Sequence, residues 1–215
     1  LVRLFATILA GCCSVSAWAL NDEPPGRFLP GNYYEYKAQF YLRKSDYQEA
    51  VRLFQLAAFW ANKVAQYNVG IMYYNGIGSI TADRVLGTAW LGIAAEQHGE
   101  IADGALQAAW AQLTPGQRVD ADRIFRQLDA KYGDRAAFPR ARRFFDNERN
   151  HVTGSRVGFA GDMAIQDNQW RQRPGNDFFA EQDRAFSDYI GRLGHVAVGD
   201  IKPLPLPADA RRMPA

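Results

Sequence analysis

The feature that most constrains the fold of this chain is an internal repeat with a period of 37 residues. Asp46 recurs as Asp83, and the alanine pair 57–58 recurs as 94–95. Both matching stretches carry apolar residues three or four positions apart, which is the spacing of an amphipathic helix. This period is typical of a helix–turn–helix repeat, in which each hairpin buries its apolar face against the next. The sequence therefore predicts a short stack of helical hairpins, with Asp46 as the N-cap of one helix.

The stretch AQYNVGIMYYNGIGS at residues 65–79 ends in a Gly-x-Gly, which is one element of a phosphate-binding loop. Such a loop also requires a preceding strand and a following Lys-Ser or Lys-Thr, and the sequence has neither here. Gly76 and Gly78 are instead predicted to form the turn between the two helices of a hairpin, because glycine adopts a positive φ at little steric cost.

Many positions between residues 65 and 99 follow one pattern: Ala65, Tyr67, Asn68, Gly70, Met72, Tyr73, Gly76, Gly78, Asp83, Trp90, Leu91, Ala94, Ala95 and Gly99. This pattern resembles the Sel1-like repeat. Gly87 departs from it, since the family usually has alanine there. Residues 33–58 resemble the related tetratricopeptide repeat through Tyr34, Ala38, Tyr41, Ala50, Phe54 and Ala57.

The resemblance implies an all-α fold, a short α-solenoid of Sel1-like or tetratricopeptide-like helix pairs. It also implies a scaffold or adaptor that binds another protein or peptide segment, with neither catalysis nor a cofactor. In such repeats the first helix of each pair lines a concave groove. The protein-binding residues expected in that groove are Glu35, Gln39, Arg43, Tyr67, Tyr74 and Asn75. The two tyrosines are expected to be exposed there, whereas Trp90 and Leu91 are expected to be buried between repeats.

The composition divides the chain into segments. We predict a signal peptide at 1–19, a linker at 20–32, the repeat domain at 33–133, an irregular segment at 134–176, a helix at 177–194 and an extended proline-rich tail at 195–215. Residues 134–215 thus form a less ordered C-terminal extension. Within the repeat domain, residues 100–133 predict a third, divergent helix pair, whose second helix opens with a capping box formed by Thr114 and Gln117.

The N-terminal segment LVRLFATILAGCCSVSAWAL is typical of an export signal. It has an arginine, then an apolar run, then Ala17-Trp18-Ala19, a small-residue pattern that a signal peptidase cleaves after its second alanine. Leu9 to Cys12, LAGC, resembles a bacterial lipobox, which would lipidate Cys12 and anchor the protein to a membrane. The expected location is therefore the periplasm or the exterior, with a membrane-anchored lipoprotein as the alternative.

The net charge and the spacing of the histidines bear on two classes of function, nucleic-acid binding and metal binding. A net charge of +2 in 215 residues is too small to indicate nucleic-acid binding. The three histidines share no metal-ligand spacing. The alternative function is an envelope hydrolase or cell-wall-binding protein that acts through the C-terminal extension, with Trp170 and Arg173 as candidate contacts. The chain lacks an evident catalytic constellation, which favours the scaffold.

Overall fold

The computed structural model describes residues 28–154, 163–166 and 172–191. Its helices are α1 (Pro30–Arg43), α2 (Tyr47–Phe59), α3 (Lys63–Asn75), α4 (Arg84–Ala94), α5 (Glu100–Ala111), α6 (Pro115–Tyr132), α7 (Asp134–Thr153) and α8 (Gly175–Gly191). A short antiparallel ribbon joins β1 (Ala164–Gln166) to β2 (Gln172–Pro174). The predicted α-helical fold with stacked helix pairs is confirmed.

Polar N-caps fix where the hairpin helices begin. The carboxylates of Asp46 and Asp83 accept hydrogen bonds from the backbone N–H groups three residues later, at 3.2 and 2.9 Å. Asp46 and Asp83, which the repeat predicts to be equivalent, thus cap α2 and α4 in the same way. Thr114 and Gln117 form the predicted capping box at the start of α6. Each such cap satisfies backbone donors that a helix start leaves without partners.

The main core lies between the first two hairpins and is closed by α6. Trp90 is 2% exposed, and its ring centroid lies 4.6 Å from that of Tyr132 at the end of α6. Leu91 is 1% exposed and belongs to a second cluster, with α3 on one side and α5 on the other. The predicted burial of both residues is confirmed, and α5 with α6 supplies the third helix pair.

The turn between α3 and α4 uses glycine as predicted. Gly76 has φ +66°, and Gly78 has φ +61°. A Cβ at Gly78 would also lie 2.0 Å from the ring of Tyr47. Both a left-handed backbone and a close approach therefore require glycine at residue 78.

The irregular segment predicted for 134–176 is wrong over its first half, because residues 134–153 form α7. Its buried residues Ala137, Ala141 and Phe145 lie four positions apart and make a narrow apolar stripe on an otherwise polar helix. Arg140 lies on the same helix and donates hydrogen bonds to the carbonyls of Phe59 and Lys131. Through these contacts α7 closes the C-terminal ends of α2 and α6.

The start of α1 is packed against the C-terminal helices. Phe28 is 3% exposed, and its ring lies 5.8 Å from Phe145 of α7 and 6.0 Å from Phe179 of α8. The predicted linker at 20–32 is therefore wrong at its end, since residue 28 is buried and residues 30–32 are helical. The two ends of the helical array thus meet in one aromatic cluster.

The predicted C-terminal helix at 177–194 corresponds to α8, which begins two residues earlier, at Gly175. The predicted signal peptide, most of the linker and the tail at 195–215 lie outside the described residues. Among the helices that are described, none combines the length and the apolar character needed to cross a membrane.

Candidate protein-binding surface

The two tyrosines predicted to line the groove are buried. Tyr67 is 0% exposed and Tyr74 is 5% exposed. With Ile71 they form a stripe at positions i, i+4 and i+7 of α3, which packs against Ala102 and Leu106 of α5. The prediction that they are exposed is wrong, because this side of α3 packs in one apolar cluster with Leu91 of α4 and with α5. Burial also raises the pKa of both phenols above the usual tyrosine value.

Glu35 and Gln39 are engaged inside the protein. The Gln39 Nε2 donates to Glu35 Oε1 at 2.9 Å, and Asn62 Nδ2 donates to Glu35 Oε2 at 2.7 Å. Asn62 Oδ1 in turn accepts from the Ala65 N–H at 2.8 Å, as the N-cap of α3. Burial raises the pKa of Glu35, an effect that its hydrogen bonds to Asn62 and Gln39 oppose. These residues therefore tie α1 to the start of α3.

The last two predicted binding residues stand apart from each other. Arg43 is exposed at the end of α1, whereas Asn75 is half-buried at the end of α3. Because most of α3 is buried, the structure does not assemble the six predicted residues into an open groove.

A surface of a different composition, exposed except at the half-buried Lys37, runs along α1, and we call it the α1 stripe: Tyr33, Lys37, Phe40 and Lys44. These residues are spaced i, i+4, i+7 and i+11, so they lie on one face of the helix. Tyr33 is 37% exposed and Phe40 is 42% exposed. The Lys37 ammonium lies 5.5 Å from the Tyr33 ring centroid, and the Lys44 ammonium lies 4.3 Å from that of Phe40.

Sequence reasoning placed Tyr34 and Tyr41 in the repeat pattern of residues 33–58, and both pack against the core. The signal it missed is the offset between the two sets. Tyr34 and Tyr41 are seven residues apart and face α2, while Tyr33 and Phe40 are also seven apart but one position earlier. That shift of about 100° around the helix axis moves the second set to solvent.

Comparison with known protein families identifies the repeats that α1 to α4 form. A family model for the Sel1 repeat matches residues 31–58 and 63–98. The chain carries two Sel1 repeats. The first spans α1 and α2, and the second spans α3, α4 and the short 3₁₀ turn Ala95–Gln97. Neither the curated proteins nor the solved structures include a significant match to this chain.

The one sequence departure from the Sel1 pattern has a structural reason. A Cβ at Gly87 would lie 2.5 Å from the backbone nitrogen of Tyr74. The two helices of the second Sel1 repeat therefore approach too closely at this point to accommodate the alanine that is usual there. Gly70 marks a second close approach in the same repeat, since its Cβ would lie 3.1 Å from the Leu91 backbone nitrogen.

A buried charge cluster joins the second Sel1 repeat to α7. The Lys63 ammonium lies 2.9 Å from Glu96 Oε2 and 2.7 Å from Asp134 Oδ1, and it donates to the Ile93 carbonyl at 2.8 Å. Burial raises the pKa of Glu96, an effect that Lys63 opposes. Because all three charged groups are used in mutual contacts, this cluster holds the fold together and is not a binding surface.

An open depression of about 590 Å³ lies at the turn before α4. Its lining residues are Tyr73, Thr81, Ala82, Asp83, Arg84, Val85, Leu86 and Gln117. The Asp83 carboxylate is already engaged as the N-cap, and Tyr73 accepts a hydrogen bond from Gln55 at 3.2 Å. The depression therefore offers few free polar groups to fix a small ligand.

In the described part of the chain, no group of three or more His, Cys, Asp or Glu side chains is placed to hold a metal ion.

Proposed function

We propose that this protein is an exported, non-catalytic scaffold that binds a segment of another protein in the cell envelope. Sel1 repeats generally mediate protein–protein interactions, so the two repeats support the class of activity. The observation that carries the proposal for this chain is the α1 stripe, which exposes two large aromatic side chains at one end of the array.

The energetics of the α1 stripe favour a binding role over a purely structural one. A terminal repeat usually presents a polar outer face, because an apolar one lowers solubility. Tyr33 and Phe40 break this rule, and neither belongs to the core cluster against which Tyr34 and Tyr41 pack. Aromatic residues are the commonest anchors of protein interfaces, since they bury a large area at a small entropic cost.

The C-terminal helices support the array instead of offering a separate active centre. Arg149 of α7 and Asp183 of α8 form an ion pair at 2.7 Å, and Arg173 pairs with Glu181 at 2.6 Å. Trp170, the aromatic residue of the alternative binding hypothesis, lies outside the described residues. Among the described residues of the C-terminal extension, no specific contact favours the hydrolase or cell-wall alternative.

A quantitative capture experiment tests the scaffold function. The full-length protein is exported in cells, treated with a lysine-reactive crosslinker and purified, and the attached proteins are quantified by mass spectrometry. The proposal expects a discrete set of partner proteins that is lost when the fold is disrupted by Trp90→Ala. Capture of the same background set by both proteins would contradict it.

Export is tested independently of binding. The run before Ala17-Trp18-Ala19 supports cleavage after Ala19, and LAGC supports lipidation of Cys12 as the alternative route. Intact mass and N-terminal sequencing of the protein from cell fractions distinguish the two. A mature N-terminus at Leu20 is expected. Recovery of the uncleaved chain in the cytoplasm would contradict export by either route.

A further inference from the structure

We propose that the α1 stripe binds an acidic amphipathic helix of the partner protein. This inference rests on the proposed scaffold function and names the chemistry that the surface selects. Tyr33 and Phe40 are the apolar anchors, and Lys37 and Lys44 are the cations between and beyond them. Arg43, also exposed, adds a third positive charge at the same end of α1.

The spacing of the anchors indicates a helical ligand. Seven residues separate Tyr33 from Phe40, so the two rings are about 10 Å apart along the axis. A partner helix with apolar side chains seven positions apart presents the same interval. Two helices that meet through such positions bury their apolar residues in a single seam.

The charges of the surface select an acidic ligand. Across the described residues, Lys37, Arg43 and Lys44 form no ion pair within 4 Å, although Lys37 is near enough to Glu49 of α2 to help lower the pKa of that carboxyl. The acidic residue of α1, Glu35, is turned toward Asn62 and does not neutralise them. Glu49 pairs with Arg52 at 2.5 Å on the neighbouring helix. Carboxylates on the ligand would complete the contacts that the protein itself leaves open.

Charge also disfavours two other possible ligands of the α1 stripe, a second copy of this chain and the chain's own terminal segments. A second copy of this chain that docked through the same face would set Lys37, Arg43 and Lys44 against the same three cations, which repel one another. The chain's own segment 192–215 has four arginine or lysine residues against two aspartates, so it is not acidic either. Segment 1–27 has two of each sign. The ligand is therefore a segment of a different protein.

The test is a selection that does not presuppose the partner. Random peptides displayed on phage, long enough to form several helical turns, are selected on the full-length protein. Enriched peptides are then synthesised, and their affinities are measured by fluorescence anisotropy at low and high salt.

Three variants accompany the native chain. Lys37→Glu/Lys44→Glu reverses the charge, Tyr33→Ser/Phe40→Ser removes the anchors, and Val119→Ser/Arg126→Glu changes exposed positions of α6 as a matched control.

The proposal expects enriched peptides that are rich in Asp and Glu and carry apolar residues three, four or seven positions apart. Their affinity should fall about tenfold or more in both α1 variants, should stay unchanged in the α6 control and should weaken with salt. Circular dichroism and thermal unfolding must show that each variant is folded. Because Lys37→Glu/Lys44→Glu keeps both rings, it remains informative even if Tyr33→Ser/Phe40→Ser unfolds.

Three outcomes would overturn the proposal. Enriched peptides that are neutral or basic would contradict the charge argument. Equal affinity for the native chain and for Lys37→Glu/Lys44→Glu would show that another surface binds them. Sedimentation with phosphatidylglycerol vesicles that is lost in the α1 variants, with no peptide enrichment, would assign the stripe to an anionic lipid surface. If crosslinked partners persist in any of these cases, the scaffold function stands while this assignment of its ligand fails.

Discussion

Lys63, the first residue of α3, holds its ammonium 2.7 Å from the carboxylate of Asp134, the first residue of α7. Only 2% of the Lys63 side chain is exposed, against 20% for Asp134. The contact therefore links the second Sel1 repeat to the C-terminal helices through a cation that water hardly reaches. Removing one member of such a buried pair is expected to destabilise the fold strongly, because the remaining charges then lose their partner.

Replacing Lys63 with methionine is expected to lower the free energy of unfolding by about 3 kcal/mol, because Glu96 and Asp134 are left close together without their shared cation. Urea denaturation measures the loss. Neutralising all three positions, Lys63→Met/Glu96→Gln/Asp134→Asn, should recover part of it. Arg123→Met is the matched control, since the Arg123–Asp120 pair has both side chains 57% exposed. Its loss should stay below about 1 kcal/mol. Equal losses for Lys63→Met and Arg123→Met would show that the burial of Lys63 does not increase the free energy lost when its charge is removed.

Glu35 predicts a pH dependence of stability with a defined sign. Burial raises its pKa in the folded protein above the usual 4.5. The stability associated with this group is therefore fully present below the unfolded-state pKa and is lost as pH rises through the folded-state pKa. Glu35→Gln cannot titrate, so its stability relative to the native chain should rise as pH increases from below 4.5 toward neutrality. Denaturation curves at a series of pH values measure this difference.

Glu49→Gln serves as the control for the sign of that effect. A hydrogen bond from Arg52 lowers the pKa of Glu49, so the stability it contributes is lost as pH falls. The difference between native chain and variant should therefore run in the opposite direction, and it should be small because Glu49 lies at the surface. A parallel pH dependence in both variants would contradict the assignment of burial as the dominant effect at Glu35.

Gly87→Ala tests the close approach of the helices in the second Sel1 repeat. The new methyl group would meet the Tyr74 backbone, so the free energy of unfolding should fall by about 1–3 kcal/mol. In an open helix the same exchange is favourable by about 0.5–1 kcal/mol. Gly104 of α5 provides that comparison, since a Cβ there would meet nothing within 4 Å. Thermal and urea unfolding of the two variants should give opposite signs. A gain in stability in both would show that α3 and α4 have room to separate.

The parts of the fold that follow from local rules could be predicted from the sequence. Asp46 and Asp83 have the caps that their position before an apolar run indicates, and Gly78 has the positive φ expected of a turn. Trp90 is buried as the repeat pattern predicts, and Leu53, which lies 37 residues earlier, is buried as well.

The parts that depend on contacts between distant segments could not. Tyr67 and Tyr74 have the spacing of a groove-lining stripe and also that of an inter-repeat stripe. The packing of α4 and α5 on α3, which the spacing alone does not reveal, decides between the two. In the same way, the stripe Ala137, Ala141 and Phe145 is too narrow to stand out among the arginines of α7 until Phe28 and Phe179 are seen to cover it. The candidate surface was hidden by a related ambiguity, because Phe40 and Tyr41 are neighbours in sequence but face opposite environments.

The central claim, that the α1 stripe binds another protein, is tested most directly by site-specific photocrosslinking. A photoreactive phenylalanine analogue replaces Phe40 in the full-length protein, and a second protein carries it at Val119, which is 68% exposed on α6. After irradiation in cells, adducts are resolved by electrophoresis and identified by mass spectrometry. The account predicts a discrete protein adduct from residue 40, absent from residue 119 and lost when Lys37→Glu/Lys44→Glu is added. The same adducts from both positions, or none from residue 40, would contradict it.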